Sequence, residues 1–319
     1  MANIAANFSN AQITDFVWPD HFAADTGEGA PAVRAFGSPT TVSQLSGDVG
    51  YALSKDRVAQ DRDENWETET AFGSSVDAKP MEPSSTSYTL DTKRQESFRL
   101  TDQQRSEIED IVGSDDPVDL ATFIGDAIRY QWWLDYHRDV ADILSNTNQT
   151  NYQNVTAAND WDTSNGTPAS DIHSAYDLIA GQVDVAICGL DVCRALQFSD
   201  PVREYSGVAI DANDGVVNRG AVEMWLAEVF NISRLIVPEM YFNDDNYRQA
   251  GLTFTRPFDG IFWMGSMQAL VNIEQENPEP QAETHRPEGK GAEIWYGTRT
   301  MEPHPVGDDR LGVWIDSTT

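Results

Sequence analysis

Apolar residues recur at helical spacing most clearly in one long stretch. Asp116 before Pro117 reads as an N-cap with proline at the first helical position, and no further proline occurs before Asn146. The pattern predicts a helix over 117–146, about 43 Å long at 1.5 Å per residue. Leu120, Ala121, Ile124, Ala127 and Ile128 share one face, whereas Trp132, Trp133, Leu134, Tyr136, Val140, Ile143 and Leu144 spread around the cylinder. A helix that changes its apolar face is packed by different partners at its two ends. It is also too long for an average domain helix and reads as a spine. Ahead of it, Thr101-Asp102-Gln103-Gln104 is a capping box leading to Ile108, Ile111 and Val112.

Period-two runs precede these helices. Val49, Tyr51 and Leu53 alternate, as do Tyr88, Leu90, Thr92, Arg94, Glu96, Phe98 and Leu100. The second run is apolar at its ends and charged in its middle, which predicts a strand whose centre leaves the subunit body. Between the runs lie Asp61–Trp66 and a Gly/Ser/Pro-rich tip from Gly73 to Ser87, so 46–100 reads as a long projecting hairpin. Residues 1–45 carry scattered aromatics (Phe8, Phe16, Trp18, Phe22, Phe36) among turn formers such as Pro19, Pro31 and Pro39. That is too little patterned surface to fold alone, and it predicts an extended arm on something else, or a disordered tail.

The remainder alternates helix and strand. After a polar loop over 145–167 with one short strand, Ser170 caps a helix carrying Ile172, Tyr176 and Ile179 and ended by Gly181. Val183–Cys188 reads as a buried strand, and Asp191 opens a short helix with Val192, Ala195 and Leu196. A second amphipathic helix carries Ala221, Val222, Trp225, Leu226 and Val229, ends near Asn231 and feeds a strand at Arg234–Val237. Further strands are expected at Leu252–Phe254, Gly260–Met264, Glu293–Thr300 and Leu311–Ile315, with Glu274–Gly291 as a polar loop. No internal repeat is present.

Composition narrows the function classes. The 319 residues are 40% hydrophobic, enough for a sizeable core. Asp+Glu number 52 against 21 Lys+Arg, a formal charge of -31, which argues against a nucleic-acid binder that must displace counterions from phosphates. Only Lys55, Lys79, Lys93 and Lys290 are lysines. An acidic, lysine-poor chain suits salt-saturated cytoplasm, because at ~1 M salt the screening length is roughly 3 Å and surface carboxylates hardly repel. A halophilic origin is therefore expected, beside the alternative of an acidic protein from an ordinary cell. No apolar run reaches the ~20 residues of a membrane span, and the start Met1-Ala2-Asn3-Ile4 has no export signal.

Chemical constellations are missing. There is no phosphate loop, dinucleotide fingerprint, nucleophile elbow or zincin helix. Cys188 and Cys193 cannot supply a four-ligand zinc site and read as buried free thiols. The five histidines are scattered, and His137 reads as a partly buried helix residue rather than a base. Asp211-Ala212-Asn213-Asp214-Gly215 begins like a calcium loop, but its glycine falls one position early and no glutamate stands at the twelfth position. Acidic clusters such as Asp61/Asp63/Glu64 and Asp308/Asp309 read as solvated faces, and the five Asn-x-Ser/Thr sequons as incidental. No catalytic, cofactor or metal site is expected. Protruding elements without chemistry point to a self-assembling structural protein.

The order of parts, an arm, a long hairpin, a capped helix, a spine helix and an α/β insert, resembles the Hong Kong 97-like major capsid proteins of tailed viruses. The resembling passages are Ala221–Glu239, with Leu226-Ala227-Glu228-Val229-Phe230 before a turn and Arg234, and Ala186–Leu196, a strand followed at once by a short helix. The resemblance implies an α+β fold with an N-terminal arm (1–45), an E-loop hairpin (46–100), a peripheral domain holding the spine (101–169), an axial domain (170–275) and late peripheral strands (276–319). It implies homo-pentamers and homo-hexamers in an icosahedral shell around double-stranded DNA, in a virion assembled in host cytoplasm, with no membrane and no sequence-specific DNA binding. A cleaved scaffolding segment of about a hundred residues has no room before the arm. Scaffolding is therefore expected from a separate protein, alongside a portal and decoration or minor capsid proteins. The cross-linking chemistry of some relatives finds no matching pattern around Lys55, Lys79 or Lys93. On position alone, Trp18, Trp66, Arg94, Glu96, Phe98 and Arg99 are candidate inter-subunit contacts. The alternatives are an encapsulin-type nanocompartment shell, against which Pro19 and the lack of an apolar stripe in Ala2–Asp20 argue, and a halophilic metal-dependent hydrolase.

Overall fold

The helix signals translate into seven helices among the described residues. The computed structural model describes residues 4, 7–18, 40–51, 84–90, 94–146, 151–155, 159–179, 182–207, 216–238, 242–243, 254–275, 281–285, 292–305 and 311–317. The helices are α1 (Asn10–Val17), α2 (Asp102–Val112), α3 (Pro117–Leu144), α4 (Pro168–Tyr176), α5 (Leu190–Phe198), α6 (Asp200–Tyr205) and α7 (Arg219–Phe230). The expected capping box closes the start of α2, and Asp116 caps the spine α3 through the Val118 amide at 2.8 Å. Asn231, at φ 57°, ends α7 in the left-handed conformation.

The strands are β1 (Thr40–Val42), β2 (Ser46–Tyr51), β3 (Ser84–Thr89), β4 (Arg94–Thr101), β5 (Asn151–Asn154), β6 (Val185–Cys188), β7 (Arg234–Ile236), β8 (Phe242–Asn243), β9 (Phe254–Thr255), β10 (Ile261–Gly265), β11 (Leu270–Gln275), β12 (Gln281–His285), β13 (Ala292–Arg299), β14 (Met301–Pro305) and β15 (Gly312–Asp316). They form sheets ordered β5-β15-β10-β6-β7, β12-β13-β4 and β1-β11-β14, with two-stranded pairs β2-β3 and β8-β9.

The five-stranded sheet is the shared floor of two cores. Val185 and Ile187 of β6 and Trp263 of β10 face the spine core, while Ala186, Cys188, Phe262 and Met264 face a second core under α5 and α7. Burial on both faces is why β6 reads as an unbroken apolar run. On the other side of the first core, α3 packs against α1, α2, β4, β13, β14 and β15. Its first half buries Leu120, Ala121, Ile124, Gly125 and Ile128; its second half buries side chains nearly all round, from Trp132 to Leu144. Trp132 and Tyr136 stack at 5.8 Å, Trp133 meets both edge-on, and the Tyr136 hydroxyl donates to Asn272 on β11.

Three expectations change. The run Tyr88–Leu100 is two strands in different sheets: β3 pairs with β2, and β4 pairs along its whole length with β13. The centre of β4 therefore stays on the subunit body. Glu96 of its charged middle is half-buried on the same face as Phe98 and Leu100, while Ser97 and Arg99 on the other face are exposed. The polar loop over 274–291 contains β12, of sequence Gln-Ala-Glu-Thr-His, in which Ala282 is buried and Glu283 and His285 are exposed. Pairing also crosses the expected domain boundaries, since β15 from the late strands lies beside β10, and β11 beside β14.

The largest departure is at the N-terminus. Ser9 and Gln12 form a reciprocal capping box, and α1 ends at Trp18 because the residue before Pro19 is steered out of helical geometry. The helix lies on the chain's own spine and on β12. Its burial of Ile13 and Val17, rather than a long stripe, sufficed.

Candidate assembly surface

Among the described residues no group of three or more His, Cys, Asp or Glu side chains converges to hold a metal ion, and no helix is long and apolar enough to cross a membrane. His137 is fully buried on the spine beside Trp133 and Tyr136, and burial holds it at about 4, well below the ordinary imidazole value. Both cysteines are free and buried. A hydrogen bond with Cys193, reinforced by burial, pushes the Cys188 thiol upward, so Cys188 is no ready nucleophile.

Two carboxylate pairs line one end of the five-stranded sheet. The Gly260 amide donates to Asp191 at 2.8 Å, and burial, together with the Asp191 charge, raises the pKa of Asp259. Asp316, opposite Ile261 in the ladder, is likewise raised by burial and by nearby Asp160.

The candidate contact residues separate on the structure. Trp18 is buried inside its own chain, edge-on to Trp132 at 5.6 Å, with the Arg299 guanidinium 5.6 Å from its ring. Trp66 lies outside the described residues. Arg94, Glu96, Phe98 and Arg99 all fall on β4, where Arg94 is the ladder partner of Arg299. Glu96 and Phe98, opposite Gly297 and Trp295, are half-buried on the inward face. Arg99 is exposed on the outer face, opposite Ile294.

The structure also displays apolar surface that the sequence patterns did not single out. Phe198 is 57% and Val216 51% exposed, and the Val217 amide donates to the Gln197 carbonyl at 3.4 Å, which joins the two segments that carry them. Tyr205 ends the adjoining α6 at 41% exposure. A signal existed, since Phe198 falls off the buried stripe of Val192, Ala195 and Leu196, so its helix has no inward use for it.

No protein-family model and no curated protein sequence matches the chain. Solved structures do. A phage-related protein from Bordetella bronchiseptica RB50 is 12% identical, with 96% of this chain and 95% of that one covered at a TM-score of 0.63. The capsid of an empty GTA particle is 13% identical, with 91% and 90% covered at 0.50. A virus-like particle from Pyrococcus furiosus is 13% identical, with 90% and 97% covered at 0.46. At such identities the likeness is one of fold, and it spans nearly the whole chain: this protein has the mixed α+β fold of the phage-related protein and the GTA particle capsid.

Proposed function

We propose that this chain is the major capsid protein of a tailed double-stranded DNA virus, a structural protein that assembles with copies of itself into the pentamers and hexamers of an icosahedral shell. The observation that carries this reading is the likeness of fold over 96% of the chain to a phage-related protein, joined by the likeness to a particle capsid. The acidic surface fits a container that confines DNA without gripping it. The charge of -31 and the four lysines support a halophilic host. A separate scaffolding protein, a portal and decoration or minor proteins complete the virion, assembled in host cytoplasm. Arg99 on the outer face of β4, and Trp66 between β2 and β3 in sequence, are contacts proposed between copies.

A nanocompartment shell is the second reading, and α1 favours it, since such shells tend to begin with a helix that grips cargo. The test expresses the full chain, separates it by size exclusion in molar salt and inspects the high-mass fraction by negative-stain microscopy. Closed shells support either container. Genes for a portal and a large terminase beside this one select the virus, and an enzyme packaged inside selects the compartment. A monodisperse monomer at every salt concentration overturns both.

A further inference from the structure

The chain has two cysteines in 319 residues, and the fold brings both to one point of the second core. Cys188 closes β6, Gly189 caps the next helix, and Cys193 stands on the first turn of α5. Three contacts fix that junction. The Gly189 amide donates to the Ile261 carbonyl at 3.1 Å, and the Cys193 amide donates to the Gly189 carbonyl at 2.9 Å. A side chain at Gly189 would meet the Phe258 carbonyl, whose carbon would lie 2.9 Å away. The first turn of α5 is thus held over the strand end, and the two thiols are in hydrogen-bond contact. Cys188 is 0% and Cys193 2% exposed, in the same core as Val192, Leu196 and Phe262. Packing alone asks for a small apolar side chain at each position, not for two sulfurs that touch. A movement of about 2 Å brings touching sulfurs to bonding distance, which is within reach of side-chain rotation.

We propose that Cys188 and Cys193 form an oxidation site: a dithiol that a small-molecule disulfide converts into an internal disulfide joining β6 to α5. The Cys193 thiol, the less enclosed of the two, gives up its proton and attacks one sulfur of the small disulfide. That S–S bond breaks, one small thiolate leaves and takes up a proton, and a mixed disulfide stands on Cys193. Cys188 then loses its proton and attacks the Cys193 sulfur, expelling the second small thiolate, which is protonated in turn. Two protein thiols are oxidised by two electrons, and one small disulfide is reduced to two thiols. Burial makes the first step slow, because it waits for a local opening of α5. Contact makes the second fast, since Cys188 is already held at the sulfur it attacks. The use of the bond rests on the shell reading: a particle assembled in reducing cytoplasm is released into oxidising surroundings, and closure then ties the junction after assembly. The site itself needs only the single chain.

The test incubates the purified full-length chain with hydroxyethyl disulfide, a small uncharged reagent, and then counts thiols in denaturant. The expected result is a fall from the two free thiols to none. The monomer mass should drop by about 2 Da, and dithiothreitol should restore both thiols. The urea-unfolded chain treated in the same way controls for the reagent. Two thiols that persist in the folded chain, while the unfolded chain loses them, overturn the proposal. A mixed disulfide that never resolves, or a disulfide-linked dimer, overturns it equally. Amide exchange over 193–196 is expected to slow about tenfold in the oxidised chain, because the bond blocks opening of that turn. Unchanged exchange overturns the role at the junction. An internal disulfide in a chain that remains a monomer keeps the site and counts against the shell reading. Closed shells in which both thiols survive the reagent keep the shell and overturn the site.

Discussion

Replacing Gly125 by alanine sets helix propensity against packing. Within a helix the change ordinarily stabilises by about 1 kcal/mol. Here the added methyl meets Phe16 backbone, with its carbonyl carbon at 2.6 Å and the Val17 nitrogen at 3.1 Å, and backbone gives way less readily than a side-chain tip. Overpacking of this kind costs about 1–3 kcal/mol, so the net effect is expected between neutral and about 2 kcal/mol destabilising. The damage has a place. Ile4, Ile13, Val17 and Trp18 are at most 8% exposed because α1 sits on the spine, and the cheapest relief is to lift that segment while the rest of the fold stays intact. Hydrogen exchange should therefore show lost protection over 10–18 with the spine amides unchanged. Gly220→Ala is the control. Its nearest neighbour is the Asn218 side-chain oxygen at 3.4 Å, so it should leave exchange unaltered and raise stability by a few tenths of a kcal/mol. A Gly125→Ala protein that is more stable, with α1 protection intact, refutes the docking argument.

His137 is held at about 4 by burial, whereas the unfolded chain titrates near 6.5. Between those values the unfolded chain takes a proton that the fold refuses, so stability is full above 6.5 and falls by up to roughly 3 kcal/mol as pH drops to 4. Asp259 and Asp316, with raised values, act in the opposite sense and lose stability as pH rises. His137→Gln should flatten the acid limb in chemical denaturation, and an unchanged limb removes His137 as its source. Glu274→Ala leaves the Arg299 charge, 8% exposed, without its carboxylate and should cost about 3 kcal/mol or more; Glu274→Leu with Arg299→Met should recover most of it. A double variant no better than the single refutes that reading of the pair. Shells should loosen below about 0.5 M salt as the screening length grows, and light scattering that stays constant on dialysis into dilute buffer contradicts this.

Where apolar periodicity was strong, the fold was legible. The spine begins at Pro117 and ends at Leu144, two residues short of its expected end, and its shifting apolar face does meet different elements along its length. The strand at Val185–Cys188 and the helix from Leu190 follow their patterns because burial on both faces of the sheet demands them. Elements set by tertiary contact were not legible. β12 buries Ala282 but exposes Glu283 and His285, and is a strand because β13 offers it a ladder. α1 is eight residues long, too short to hold together without the spine beneath it. Gly125 in the spine and Gly297 in β13 are explained by the close approach of Phe16 and Val17, contacts between residues more than a hundred positions apart. The contact residues were the least legible. Period-two spacing put Glu96 and Phe98 on one face of β4 and Arg99 on the other, but not which face met solvent. Trp18 is enclosed by Trp132 and Arg299, residues more than a hundred positions away.

The most direct measurement is cryo-electron microscopy of the purified full-length chain in molar salt. Closed particles with five- and six-fold clusters of this subunit, the spine helix resolved in each, are the expected image. Isolated single subunits, unchanged by salt or protein concentration, contradict the account at its root.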